Sequence, residues 1–592
     1  MNDEQPAPPA AIPAVLFRGL TVRRILTAAA FALLMALTYA PLAGVGFTDH
    51  DSMDTALHVW KGPRAYFDWV WQLAVYHGRW HYLYSYLFAA APFLLASFAY
   101  YKTVVYSSLA MNALLFYCVV RETTRSREFA GLTLAAFLIS LQITTNHCLL
   151  TGYFVSFHVC AAFVMLSFLL LVRYCRAGGA PRLWGSAAFF ALALPFHETV
   201  LLYLALLGLT VLAHGRAYNW GLGRITKTLL PHAAWAAAFV VSSMVFRRMH
   251  PSEYVGNDFQ WARFSLSAYV QTWITYTMSA YPGYFTLADA EYAKLFDHFQ
   301  HGLHTQAGTW TTLLVNMRPA WVLRAALTFG LAVVLLFRCE SLTRKRFPLI
   351  AGAGLALLLI PHGVISLSRH YENLALKGER VSTHMSYLCA FGVALLLALA
   401  LAVIVRATPL RRSAWTRGFT CACAGLMAAA ISLCTSYSNH FVALSQRAQT
   451  QKWQLMNKFL ASPTFDAIPE EACLIAPSLW EPSFNVYYSL KDFSGSHLIP
   501  ATADTPNYWE AYCTVKTGKH LDIAGDRKEL EALFDNADLP RRAGLLTYQE
   551  NPNTFSAHLV VIPPRADANT PGGATVVFRS YFGDACAAGR VD

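Results

Sequence analysis

The chain has 592 residues, of which 56% are hydrophobic and 14% charged, and its mean hydropathy is +0.37. This composition excludes an ordinary soluble protein and indicates a polytopic membrane protein with some soluble mass attached. The net charge of +12 does not indicate nucleic-acid binding, because the basic residues occupy short loops between apolar runs. That placement is the positive-inside pattern of membrane proteins.

Residues 1–20 are predicted to be a disordered cytoplasmic N-terminus that is rich in Pro and Ala. The apolar run after Arg23 and Arg24 is long enough to cross a bilayer, and Pro41 disfavours cleavage of this run as a signal peptide. It is therefore predicted to be an uncleaved first span. The apolar runs together predict a mainly α fold with about eleven spans, near residues 24–46, 103–120, 128–145, 153–172, 183–196, 198–213, 228–246, 320–337, 347–366, 385–405 and 418–436.

The apolar run at 81–99 decides the topology. If it dips into the outer leaflet without crossing, 20 Lys and Arg residues lie in the inner loops and 12 lie in the much longer outer loops. This asymmetry predicts an N-terminus inside and a C-terminus outside, with large outer loops at 47–102 and 248–318 in a membrane domain of residues 21–437. We expect an integral protein of a bacterial inner membrane.

Residues 438–592 have the composition of a soluble domain. Segments such as "ACLIAPSL", "GLLTYQE", "AHLVVIP" and "ATVVFRSYF" are typical of strands, and Asp526–Asn536 is typical of a helix. An extracytoplasmic α+β domain is therefore predicted. It contains three cysteines, Cys473, Cys513 and Cys586, whose pairing the sequence does not determine.

A cluster of three carboxylates, Asp49, Asp51 and Asp54, follows the first span. In an extended segment Asp49 and Asp51 would share one face, and either could act as a general base or hold a divalent cation. The alternative is a solvated acidic loop, or a helix capped by Asp51 or Ser52. Asp54 is explained as an acid in the first turn of that helix.

Other candidate residues lie in outer segments of the predicted topology. His197 and Glu198 lie between two short apolar runs, where a carboxylate should face a cavity or a partner. Arginines near the headgroup region are suited to bind a lipid phosphate, and the candidates are Arg380, Arg369 and Arg79. Arg324 lies inside a predicted span about one turn from its outer end, and we expect its side chain to snorkel to the interface.

Four segments resemble the GT-C-type integral-membrane glycosyltransferases. They are "FTDHDSMD" after the first span, "GRWHYLYSYL" before the next, "PFHETVLLYLALLGL", and "GERVSTHMSYLCAFGVALLLAL". The resemblance covers residues 20–437 as an architecture. It implies a polyprenyl-phosphate-linked sugar as donor, inverting transfer, Asp49 or Asp51 as catalytic base, and Arg380 as the residue that holds the donor phosphate.

The expected partners are membrane lipid, the polyprenyl-phosphate-linked sugar, and a glycan, lipid or protein acceptor. The sequence requires no cofactor. It leaves open whether a divalent cation, Mg²⁺ or Mn²⁺, binds near the aspartates, and no metal ligands are assigned. The alternative functions are a flippase or transporter of a lipid-linked glycan, and a polymerase or ligase of surface polysaccharide. A flippase should need charges deep within several spans, so the acids at the outer rim favour an enzyme.

Overall fold

The computed structural model describes residues 22–45, 50–95, 97–144, 148–151, 155–254, 264–282, 313–315, 317–339, 346–377, 383–407 and 413–460, and four later strands. For some of these, including Asp51 and residues beyond 443, it describes the backbone only. The predictions for Asp49, for Arg380 and for a helix at 526–536 concern residues outside these ranges.

The described part of the chain is mainly helical. Its α-helices are α1 Val22–Tyr39, α2 His50–Trp60, α3 Pro63–His77, α4 Tyr82–Ala89, α5 Phe98–Thr124, α6 Arg127–Ser140, α7 Ser156–Ala177, α8 Ala180–Ala193, α9 Tyr203–Ala217, α10 Leu222–Met249, α11 Leu266–Met278, α12 Pro319–Arg338, α13 Phe347–Ile365, α14 Arg369–Leu376, α15 Ser386–Ala407 and α16 Ala414–Leu460. Short 3₁₀ helices lie at Ala40–Leu42, Ala91–Phe93, Leu194–Phe196 and Glu198–Leu202.

Nine helical segments of the described residues are long and apolar enough to cross a membrane. They are α1, α5, α7, α9 with the 3₁₀ turn before it, α10, α12, α13, α15 and the first part of α16. The chain is therefore an integral membrane protein with a helical bundle, as predicted.

The other two predicted spans are the shorter helices α6 and α8, of 14 residues each. A helix of this length extends about 21 Å, whereas the hydrocarbon core is about 30 Å thick. Residues 129–140 of α6 are all buried inside the bundle. The total of eleven spans is thus still a prediction. The run at 81–99 is divided between α4, which has eight residues, and a 3₁₀ turn, and neither is long enough to span.

Loop contacts fall into two sets at opposite ends of the bundle. One set, which we call the basic end, joins the loops after α5, α7 and α9 to the start of α13 through Glu122, Arg125, Arg173, Arg176, Tyr218 and Arg346. The other, the histidine end, joins the segments that hold His81, His197 and His384. Helix α7 connects the two ends, because Phe157 near its start packs on His384 and its last turns reach Glu122.

Helices α13 and α15 cross closely at two glycines. A Cβ on Gly392 would lie 2.4 Å from the backbone nitrogen of Leu358 and 2.6 Å from the carbonyl oxygen of Gly354. Such close helix approach through small residues is common in membranes. At the histidine end of this pair, Nε2 of His362 lies 3.1 Å from Oγ1 of Thr383, which fixes the segment that enters α15.

The four later strands form one sheet in the order β2–β1–β3–β4. They are β1 Cys473–Ile475, β2 Asp522–Ala524, β3 Phe555–Ile562 and β4 Thr575–Phe582. β1 pairs parallel with β2 and antiparallel with β3, and β3 pairs antiparallel with β4. Three of the four predicted strand segments overlap β1, β3 and β4, whereas "GLLTYQE" lies outside the described residues. The α+β domain is still a prediction. Helix α16 continues through residue 438, where the sequence predicts the outer domain to begin.

Candidate functional site

The aspartate segment is helical from residue 50. Because α2 begins at His50, Asp51 lies in its first turn and not in the extended segment that would place two acids on one face. The helix also starts earlier than a cap at Asp51 or Ser52 would allow. The backbone of α2 therefore differs from both predicted conformations of Asp51, the extended segment and the helix cap. The chemical role of Asp51 is still a prediction.

Asp54 is buried, with 8% of its surface exposed, although the sequence suggested a first-turn acid favoured by the helix dipole. Its backbone carbonyl oxygen lies 2.8 Å from Nδ1 of His58. Burial lowers the pKa of nearby Lys61, and the Asp54 carboxylate partly opposes that shift. Thr55 and Ala56 are also buried, so this part of α2 packs inward.

An ion pair between Arg79 and Glu198 forms the centre of the histidine end. Nε of Arg79 lies 3.0 Å from Oε1 of Glu198, and the two side chains are 16% and 22% exposed. Nη1 of Arg79 donates a hydrogen bond of 2.7 Å to the hydroxyl of Tyr82. Gly78 permits this turn, because it ends α3 in a left-handed conformation and a Cβ there would lie 3.0 Å from the carbonyl oxygen of His250.

A second arginine, which the sequence analysis did not single out, approaches the same carboxylate. Nη2 of Arg247, near the end of α10, lies 3.9 Å from Oε1 of Glu198, and its side chain is 49% exposed. The indole of Trp80 donates a hydrogen bond of 3.1 Å to Oγ of Ser243, which holds α10 against this segment. Two arginines and one glutamate leave a net charge of +1, and the half-exposed Arg247 is accessible to an anionic ligand.

The histidines around this ion pair are neutral at physiological pH. Burial lowers the pKa of His77 and His81 to about 3 and that of His197 to about 4. Nδ1 of His197 accepts a hydrogen bond of 3.1 Å from the backbone nitrogen of Thr199, so His197 caps the 3₁₀ helix that begins at Glu198. The rings of His197 and His384 lie 5.7 Å apart. A neutral imidazole has one donor and one acceptor nitrogen, so it suits a hydroxyl group better than an anion.

Acidification should destabilise the histidine end. An unfolded histidine has a pKa of about 6.5, so between pH 6.5 and about 4 the unfolded state binds protons that the folded state does not. The contribution of these neutral histidines to the free energy of unfolding is fully present well above pH 6.5. It falls as the pH is lowered, by roughly 1 kcal/mol per buried histidine at pH 5.5. Thermal unfolding in detergent at pH 7.5 and 5.5 measures this. His81→Phe keeps a ring against Phe239 and should reduce the pH dependence, and an unchanged dependence would contradict the assignment.

Arg369 lies at the start of α14, beside the site but outside its ion pairs. α14 reaches the cluster through Tyr371, whose hydroxyl lies 3.4 Å from that of Tyr254. The ring of Tyr254 lies 4.2 Å from that of His77 and 6.0 Å from the guanidinium of Arg79. Of the predicted phosphate-binding residues, the structure thus brings Arg79, His197 and Glu198 together. None of the contacts among the described residues joins Arg369 to them.

Within the described ranges, no group of three or more His, Cys, Asp or Glu side chains could hold a metal ion. The cation that the sequence leaves open near Asp49 is not tested by this, because Asp49 lies outside those ranges. A scan of the chain against models of protein families and a search of the curated proteins both find no match. The resemblance to the GT-C glycosyltransferases therefore rests on the four sequence segments.

Proposed function

We propose that the protein is a membrane glycosyltransferase that moves a sugar from a polyprenyl-phosphate carrier to a glycan, lipid or protein acceptor with inversion. The observation that supports this best is the cluster of Arg79, Glu198 and Arg247 at the end of a membrane bundle. Its net positive charge suits a phosphate, and the neutral imidazole of His197 beside it suits a sugar hydroxyl. The bacterial inner membrane, with the histidine end outside, is part of the same proposal.

The carboxylate helix belongs to the same outer segment as this cluster. α2 is followed directly by α3, and the ring of His58 stacks on that of Trp69 at 4.5 Å. α3 then ends at His77, next to Gly78 and Arg79. The fold therefore connects the helix that carries Asp51 to the arginine of the ion pair through one packed helix.

The proposed sugar transfer needs a general base for the acceptor and positive charge at the donor phosphate. The acceptor oxygen attacks the anomeric carbon while the bond from that carbon to the phosphate oxygen breaks, and polyprenyl phosphate leaves as an anion. The acceptor proton passes to the carboxylate of Asp49 or Asp51, which acts as general base. Arg79, Arg247, Arg369 and Arg380 are the candidates to stabilise the phosphate. Glu198 would position the first two, since a carboxylate held between two arginines is a weak base.

The test is sugar transfer by the purified full-length protein. A panel of radiolabelled hexoses and pentoses linked to polyprenyl phosphate is supplied with a glycan and lipid extract as acceptor, and label transfer is measured. Asp49→Asn or Asp51→Asn should lower turnover about a hundredfold, the usual contribution of a general base. Asp68→Asn is the matched control, because Asp68 pairs with Arg64 in the same outer segment and its side chain is 69% exposed.

Two results would contradict the proposal. One is wild-type turnover in both Asp49→Asn and Asp51→Asn, since the segment would then not supply the base. The other is movement of the labelled lipid between leaflets of proteoliposomes without any transfer of sugar. That second result would instead favour a flippase of lipid-linked glycan.

A further inference from the structure

A cavity of about 410 Å³ lies between α5, α7, α9, α13 and α15. We call it the α9 cavity, because it follows that helix from Tyr203 to Arg216. Its wall is almost entirely apolar, with side chains such as Val164, Phe168 and Phe391. Leu209 and Leu212 also line it, yet they are 51% and 44% exposed. The cavity therefore opens sideways at α9, toward the surface that faces membrane lipid.

The end of the α9 cavity near Arg216 is polar and positively charged. Thr123, Thr124, His214 and Arg216 form its wall there. Three more arginines lie close enough to His214 to interact with it electrostatically: Arg125, Arg176 and Arg346. Among the described side chains that contact these arginines, Glu122 supplies a carboxylate, and it already pairs with both Arg173 and Arg176. The positive charge at this mouth thus exceeds the negative charge.

We propose that the α9 cavity binds an anionic phospholipid of the leaflet at the basic end. An acyl chain would occupy the apolar part, and the phosphate would lie against Arg216 and the neighbouring arginines. Basic pockets between membrane helices bind anionic headgroups through the same combination of charge and apolar wall. The sugar donor is a poor fit for this cavity, because the cluster proposed to bind its phosphate lies at the opposite end of the bundle.

The first experiment fills the cavity without disturbing the fold. Gly352 lines the α9 cavity, and a Cβ built there meets no atom within 4 Å, so Gly352→Leu projects into open space. Gly330→Leu is the matched control, because its Cβ position is equally open but lies on α12, which does not line the cavity. Full-length protein in detergent is titrated with phosphatidylglycerol or phosphatidylcholine of equal chain length, and bound lipid is counted by native mass spectrometry.

We expect the wild type and Gly330→Leu to bind phosphatidylglycerol in preference to phosphatidylcholine, and Gly352→Leu to bind one phosphatidylglycerol fewer. The second experiment changes the charge. Arg216→Gln should lower the affinity for phosphatidylglycerol about fivefold, the effect of one basic residue at a lipid headgroup. Lys227→Gln is the control for general surface charge, since Lys227 is exposed near the basic end but does not line the cavity.

Three outcomes would overturn the proposal. Equal affinity of the wild type for the two lipids would show that the protein does not recognise the anionic headgroup. Wild-type binding by both Gly352→Leu and Arg216→Gln would place the bound lipid elsewhere. An equal loss of affinity for phosphatidylglycerol in Lys227→Gln and Arg216→Gln would show that the lipid is attracted by the charge of the whole basic end. None of these measurements depends on sugar transfer, so this proposal and the proposed glycosyltransferase activity can fail separately.

Discussion

Replacing Glu198 with glutamine is expected to lower the free energy of unfolding by about 3 kcal/mol. The substitution keeps the size of the side chain but leaves the guanidinium of Arg79 in a site where it is only 16% exposed and has lost its counter-ion. Removing one partner of a buried ion pair costs about 3 to 5 kcal/mol, because the remaining charge stays desolvated. Since Glu198 is 22% exposed, we expect the lower end of that range.

A double-mutant cycle with Arg79→Gln separates this explanation from simple loss of packing. Removing both charges leaves no unpaired ion that is buried, since Arg247, the other partner of Glu198, is 49% exposed. The double variant should therefore lose clearly less stability than the sum of the two single variants. Asp68→Asn breaks the exposed pair with Arg64 and should cost at most about 1 kcal/mol. Unfolding is followed by thermal melting in detergent. The interpretation would be wrong if the losses of stability of the two single variants added up to that of the double variant. It would also be wrong if Glu198→Gln lost no more stability than Asp68→Asn.

The sequence identified the two residues of this pair but not their contact. His197 and Glu198 were singled out because a carboxylate between apolar runs needs a partner, and Arg79 was singled out as a phosphate ligand. Their pairing depends on how α3, the 3₁₀ turn and α10 pack, which is long-range information that no local pattern contains. Arg247 was missed for the same reason, since arginines at the end of a span, here Arg247 and Arg248, are also the usual interfacial anchors.

The helices were predictable to a greater extent than the site. Each apolar run that predicted a span overlaps a described helix, because length and hydropathy are local properties of the chain. Hydropathy did not reveal that α6 is a 14-residue helix enclosed by its neighbours, since a buried helix and a lipid-facing helix are equally apolar. Asp54 is the opposite case, a charged residue that is buried. Its burial follows from the packing of α2, which an acidic, solvated sequence pattern does not predict.

Arg324 was predicted to snorkel, and that prediction is wrong. Its side chain is only 3% exposed and points into the bundle. Nη1 donates to Oγ of Ser436 at 2.6 Å and to the carbonyl oxygen of Ser432 at 3.2 Å, and Nη2 donates to the carbonyl oxygen of Leu138 at 2.9 Å. Leu138 belongs to the last turn of α6, where carbonyl groups lack helical partners and the helix dipole favours a cation. Arg324 therefore joins α12, α6 and α16.

Replacing Arg324 with methionine is expected to lower the free energy of unfolding by about 1 to 6.5 kcal/mol. Two effects oppose each other. Removing a charge from a membrane span recovers about 2.5 to 3.5 kcal/mol, and no carboxylate among the described residues interacts with this arginine. The substitution also removes three hydrogen bonds made by a charged group, worth about 1.5 to 3 kcal/mol each, and the lost bonds exceed the recovered charge penalty.

Arg324→Lys tests whether the geometry of the guanidinium or its charge is responsible. A lysine keeps the charge but lacks the planar guanidinium that reaches three acceptors on two helices. The Arg324→Lys variant should therefore be destabilised nearly as much as Arg324→Met. Val322→Met, on the same helix with a side chain 46% exposed, controls for a methionine in α12 and should be close to wild type. If Arg324→Met were as stable as the wild type, the desolvation of the charge would outweigh its hydrogen bonds. The contact between α6 and α16 would then be maintained by packing and by Asn439, whose Nδ2 donates to the carbonyl oxygen of Leu141 at 2.9 Å.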